Sequence, residues 1–391
     1  MNFIKIIDHI TIKLINFIGG KMPKYDLAKK IVNRELSRRQ MIKALGAAGV
    51  ITTLSPLVSK SAFAKTQVGL FTWGGYDDDG LYSGYIDKHG GAPEYTTFGD
   101  AEEGLQKLRA GYVTDVIHPC YSDPPRWQRA GVIQPIDTSR LPSWGDLFPQ
   151  LTEMGTVNFD GAQWMAPVDW GDTSLIYNPD KVTWMSPGNE SLGLLFDDRM
   201  EGKVAILDSA ADSWYLVAIY HGIDVTRMEH VTKAQVDSVY EALRKMRKNV
   251  KIYTTDTATL EQALLDEEVW CALAWNESSW NTGYPMMSPI EGTLTWSCGL
   301  VIHKDAPNID LAYDLIESAI SAETSEYLLN EWGYGHSNKK GYETISAEAL
   351  AERGLAPDPI AHLEGGNFSN NPSDEITDYI EMQWAEFTAG G

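Results

Sequence analysis

Residues 67–118 read QVGLFTWGGYDDDGLYSGYIDKHGGAPEYTTFGDAEEGLQKLRAGYVTDVIH, and the order of apolar runs and breakers in this stretch decides the fold class. The apolar-polar alternation predicts a strand over 67–73, which Gly74-Gly75 ends. An amphipathic stretch over 81–88 stops at Gly90-Gly91, and a second strand is predicted over 93–98. Asp100 then caps a helix running to Ala110, and 113–118 reads as a third strand. The order β-α-β-α-β is that of parallel strands joined by helical crossovers, so the fold class is α/β. Ligands of such sheets sit at the carboxyl ends of the strands. Those ends are Trp73-Gly74-Gly75-Tyr76, Phe98-Gly99-Asp100 and Pro119-Cys120-Tyr121-Ser122.

A second set of elements follows Trp164-Met165-Ala166-Pro167, with strands expected over 174–177, 203–207 and 269–275 and helices over 212–220, 233–248 and 257–265. A strand over 294–303 and a helix over 309–322 then return to the first set. The expected organisation is a first lobe over 65–173, a second over 174–293, a return through the first lobe over 294–340 and a C-terminal helical segment over 341–391.

The chain has 391 residues, 43 % of them apolar and 22 % charged, which fits a globular protein of two or three folding units at roughly 100–200 residues each. Its net charge of −22 repels phosphate backbones and anionic lipid, so nucleic acid is not an expected partner. Residues 1–64 carry 11 Lys/Arg against 3 Asp/Glu, which leaves −30 on the remainder, and all 13 Trp follow residue 64. Aromatic rings and negative charge in one body favour a cation.

The basic leader contains Ser37-Arg38-Arg39-Gln40-Met41-Ile42-Lys43, an apolar run to Val58 and then Ala62-Phe63-Ala64. This is the pattern of a twin-arginine export signal cleaved after Ala64, with the twin-arginine translocase as the partner in export and a periplasmic mature protein. The apolar run is too short to span a bilayer. Residues 1–36 are longer than such a leader needs, and Met22 is an alternative start. Cys120, Cys271 and Cys298 are too few for a disulfide framework, although one pair is open to oxidation after export. His118, Cys120 and Asp123 fall short of a metal-ligand set. Residues 65–391 carry no HExxH, CxxC, G-x-S-x-G or phosphate-binding glycine loop, so a binding protein without a cofactor is expected, with a periplasmic enzyme as the alternative.

Six segments taken in order resemble the periplasmic polyamine-binding proteins of ABC importers, within the two-lobed extracellular solute-binding proteins. They are Phe71-Thr72-Trp73-Gly74-Gly75-Tyr76, Ala130-Gly131-Val132-Ile133-Gln134-Pro135-Ile136-Asp137, Pro167-Val168-Asp169-Trp170-Gly171, Ala274-Trp275-Asn276, Leu294-Thr295-Trp296 and Trp332-Gly333-Tyr334. The resemblance covers nearly all of residues 66–391. It implies a Venus-flytrap fold with interleaved chain crossings, a monomer that binds its solute between the lobes, and delivery to an ABC permease in the inner membrane, with no chemistry done on the solute.

In that family aromatic rings sandwich the polyamine methylenes and carboxylates hold the ammonium groups, so the resemblance places aromatic walls at Trp73, Tyr76, Trp275 and Trp296. Three family acids fall on Gly75, on Ser278 beside Glu277, and on Cys298. Asp212 matches an acidic position and Asp208 lies one residue from another. Asp169 and Asp172 flank Trp170 near the expected crossing, as compensating acids or as partners in an inter-lobe hydrogen bond. The expected ligand-binding set is therefore Trp73, Tyr76, Tyr121, Asp169, Trp170, Asp172, Asp212, Trp275, Glu277 and Trp296. The expected solute is a small cation, first a polyamine and second a quaternary ammonium or sulfonium osmolyte such as a betaine. For Trp275 and Trp296, core packing is an open alternative. Asp77-Asp78-Asp79 reads as carboxylates complementing a helix N-terminus rather than as ligand contacts.

Overall fold

The computed structural model describes residues 67–370 and 372–390; the expected export signal and the expected cleavage after Ala64 lie outside the described residues. A curled ten-stranded sheet passes through two α/β lobes. In the first lobe, β1 (Gly69–Trp73) pairs in parallel with β2 (Glu94–Phe98) and with β3 (Val116–Ile117). Asp100 caps the helix Ala101–Arg109 as the sequence predicts, its Oδ1 accepting from the amides of Glu102 and Glu103. The third strand is shorter than expected, and next to it the Asp115 side chain accepts from the amides of Gly69 (2.8 Å) and Asn308 (2.6 Å).

Between the lobes run two long antiparallel strands, β7 (Ala166–Tyr177) and β11 (Leu294–His303). β11 pairs with β3 and with β4 (Ile133–Gln134) at its C-terminal end. β7 pairs with β10 (Cys271–Trp275) at its own C-terminal end and with β12 (Gly335–His336) nearer its start. Beyond β10, the second lobe continues in parallel through β8 (Val204–Leu207) and β9 (Val250–Thr254). A small hairpin, β5 (Asn158–Phe159) with β6 (Ala162–Gln163), stands apart. β7 begins eight residues earlier than the strand expected over 174–177, and all twelve of its residues are buried. Both of its faces are covered, so its polar side chains are held by partners rather than by water. The register slips between Cys298 and Gly299, where a β-carbon on Gly299 would lie 2.3 Å from the carbonyl oxygen of Ala166.

A third connection runs alongside. Asn367 accepts from the Thr295 amide, the Tyr121 hydroxyl donates to the Ser369 carbonyl, and the Asn370 amide donates to Val225 of the second lobe. The helix Asp374–Thr388 then packs Ile376, Ile380, Trp384 and Phe387 into the second-lobe core beside Val236, Val239 and Leu243. The first-lobe cores gather around Leu70, Val116 and Leu315 on one side of the sheet and Phe71, Phe98 and Trp127 on the other.

Candidate functional site

Alternation along the crossing strands sorts the polar and aromatic residues onto two faces. Asp169, Gly171 and Thr173 of β7 stand opposite Cys298, Trp296 and Leu294 of β11, and Thr173 also pairs with Trp275 of β10. Trp170 and Asp172 point the other way.

On the first face, the Tyr76 hydroxyl donates to Asp169 Oδ2, and His118 Nε2 lies 3.4 Å from Asp169 Oδ1. Both Asp169 and His118 are fully buried. The Thr72 hydroxyl meets His118 Nδ1 at 3.0 Å, so Thr72, His118, Asp169 and Tyr76 form a polar cluster at β1, the end of β3 and the crossing strand, within which His118 Nε2 and Asp169 Oδ1 approach without a hydrogen bond. Burial and the Asp169 charge hold the Tyr76 hydroxyl well above its usual range, so it remains a donor. The Tyr76 ring packs edge-on to His118 and beside Trp332.

At the second-lobe end of the same face, Asp212 Oδ1 accepts from Thr173 Oγ1 and from Trp275 Nε1, each at 2.8 Å. Desolvation pushes this carboxyl up, against the hydrogen bonds that favour its charge. Asp212 lies in a π-helical turn, Ala210–Trp214, that breaks the helix expected over 212–220. The Trp275 ring touches the cores of both lobes. The Trp296 indole crosses over Gly171 and meets Tyr334 edge-on at 5.0 Å. Trp73 closes the end of β1 against Phe98. Trp73, Tyr76, Trp275 and Trp296 are all half-buried, with part of each side chain still accessible. The indole nitrogens of Trp73 and Trp296 are buried without a hydrogen-bond partner.

The other expected site residues sit elsewhere. Trp170 is buried on the opposite face, donates to the His336 carbonyl (3.2 Å) and stacks on His362. Asp172 accepts from Thr293 and Thr295 and lies 2.9 Å from His362 Nε2, a contact that raises the His362 pKa. Alternation on a continuous β7 forces this separation: if Asp169 faces the aromatic rings, Trp170 and Asp172 do not. The Tyr121 side chain is buried against Phe368 and bonded to Ser369. Glu277 is buried and accepts from Thr257, while Asp208 accepts from Trp384. Ser278 donates to Glu261.

Cys298 forms a disulfide with Cys120, so the pair left open to oxidation is identified and Cys271 is the free thiol. Among the described residues no group of three His, Cys, Asp or Glu side chains is placed to hold a metal ion. Asp78 caps the turn at Gly80 and accepts from Tyr327 and Trp332, in keeping with a structural role for that acidic run. Sequence reasoning missed Thr173 and the place of His118 in the polar cluster; the period-2 pattern of β7, read through Asp169, would have found the former.

A family model of bacterial extracellular solute-binding proteins matches residues 92–353. A putrescine/agmatine-binding protein of Pseudomonas aeruginosa is 28 % identical over 342 residues, covering 81 % of this chain and 89 % of its own. A putrescine-binding periplasmic protein of Escherichia coli is 24 % identical over 367 residues, with 88 % and 96 % covered. Among solved structures, the spermidine/putrescine ABC transporter substrate-binding protein of Streptococcus pneumoniae superposes with a TM-score of 0.67 at 18 % identity, over 83 % of this chain and 99 % of that one. The two-lobed α/β expectation agrees with this likeness.

Proposed function

The chain belongs to the bacterial extracellular solute-binding proteins, and from that premise we propose that it is the periplasmic capture component of an ABC importer. It closes two lobes on a small cationic solute of the polyamine class and presents it to a membrane permease. The observation that carries this reading is the single face of the crossing sheet on which Asp169 and Asp212 stand among Tyr76, Trp275 and Trp296. Carboxylates desolvated beside aromatic faces suit an ammonium group flanked by methylenes. The names of the relatives, which bind putrescine, agmatine or spermidine, support the same class. The lobes correspond to 65–173 with a return over 294–340, and to 174–293, with 341–391 as the C-terminal segment. The protein acts as a monomer that returns its solute unchanged. It reaches the periplasm through the twin-arginine leader and is cleaved after Ala64; Arg38→Lys with Arg39→Lys should hold the precursor in the cytoplasm.

A thermal-shift screen of amines, betaines, amino acids and sugars tests the class, since a ligand at 100 times its Kd stabilises by about 2.7 kcal/mol. A shift confined to amines supports the reading, and a shift only with sugars or anions overturns it. A quaternary ammonium is the second reading. It is favoured by the replacement of family acids with Gly75, Ser278 and a disulfide-bonded Cys298, because a methylated cation has no N–H to satisfy.

A further inference from the structure

A desolvated free diamine brings two ammonium groups with three donors each, and every donor needs an acceptor. The candidate face supplies few. Asp169 Oδ2 accepts from Tyr76, and its buried Oδ1, which has no hydrogen-bond partner, is walled off by His118 Nε2 at 3.4 Å; Asp212 Oδ1 already accepts from Thr173 and Trp275. Cys298, opposite Asp169 in the ladder, is consumed by the disulfide. Two donors also stand open. The indole N–H groups of Trp73 and Trp296 are buried and unpartnered, although both rings pack on one aromatic cluster with Phe98 and Tyr121. An indole nitrogen can only donate, so each calls for an acceptor brought from outside the protein.

We infer that the solute carries one ammonium and, at its other end, a C=O acceptor in place of a second ammonium, as in an N-acylated diamine or an ω-amino carboxylate. The ammonium goes to Asp212 beside Trp275, the methylenes lie between the rings, and the oxygen accepts from Trp73 and Trp296. This assignment rests on the amine-binding reading above and narrows it.

Titration calorimetry of the purified protein with putrescine, N-acetylputrescine and 4-aminobutyrate tests it. At least one of the acceptor-bearing amines should bind tenfold or more tighter than putrescine, and comparing the two distinguishes an amide oxygen from a carboxylate. Trp73→Phe and Trp296→Phe keep an aromatic ring but remove the N–H, and each should cut that preference several-fold. Putrescine binding tightest overturns the inference and leaves the importer reading standing. An unchanged preference in both Phe variants overturns the assignment of the donors. Binding by none of the three amines overturns the inference, and the thermal-shift screen then decides the importer reading.

Discussion

Gly171 lies beneath the Trp296 indole so closely that a β-carbon there would come within 2.6 Å of Cζ2, and equally near Asn276 Oδ1. Asn276 is buried and is held by the Asp172 amide and the Gly354 carbonyl, so it cannot retreat, and the indole must move instead. Gly171→Ala should therefore cost about 1–3 kcal/mol of stability, as overpacking does, and weaken solute binding more than it lowers Tm. Paired denaturation and calorimetry check this; an unchanged affinity would show that Trp296 does not touch the solute.

Asp212 combines a desolvated charge with hydrogen bonds that an amide oxygen can also accept. Its folded pKa is raised, so the ionised form costs stability at neutral pH. Asp212→Asn should raise the Tm of the solute-free protein at pH 7 while weakening an amine by about tenfold or more. In the native protein, amine affinity should fall as pH drops through this raised pKa, where the carboxyl loses its charge. Melting curves and affinities measured between pH 4 and 8 test both signs.

The Cys120–Cys298 bond closes a loop across a sequence separation of 178 residues and ties the end of β3 to the bulge in β11. Cys120→Ser with Cys298→Ser should cost about 2–5 kcal/mol. The buried Cys271 thiol is pushed up by desolvation, which withholds the thiolate that disulfide exchange requires. Reductant should therefore lower the Tm of the native protein and leave that of the double Ser variant unmoved.

Glu381 on the C-terminal helix is pushed to about 7, by burial first and then by Asp100 and Glu102, with Arg126 opposing. Its folded pKa exceeds the ordinary 4.5, so its favourable contribution is complete below that value and is lost as pH rises through about 7. Glu381→Gln should stabilise by about 1–3 kcal/mol at pH 8 and by nothing measurable at pH 4. Denaturation at the two pH values decides it, and an equal gain at both would assign the effect to packing.

The helix cap at Asp100, the helix Thr257–Leu265 and the strand Leu294–His303 were legible because local chemistry sets them: a short carboxylate before a helix, and apolar spacing with few competitors. The length of β7 was hidden. Asp169, Asp172 and Thr173 break its apolar pattern, and only partners distant in sequence, Tyr76, His362 and Asp212, make their burial tolerable. That one misreading put Trp170 and Asp172 together with Asp169 in the expected site. The aromatic positions Trp73, Tyr76, Trp275 and Trp296 came from the family pattern, which carries residue type at a position but not whether each ring is exposed. No local rule pairs cysteines as far apart as Cys120 and Cys298.

The order in which the chain crosses between lobes also sets a timetable for synthesis. β1, β2 and β3 emerge early, yet the neighbour that covers β3 is β11, which is translated only after the second-lobe strands β8, β9 and β10. Any chain that stops before Leu294 presents a bare β3 edge to other molecules, the kind of edge that recruits strands and aggregates. Truncation products of this protein should therefore be sticky rather than half-functional, and a ribosome pausing within the second lobe would leave the first exposed to chaperones until synthesis resumed.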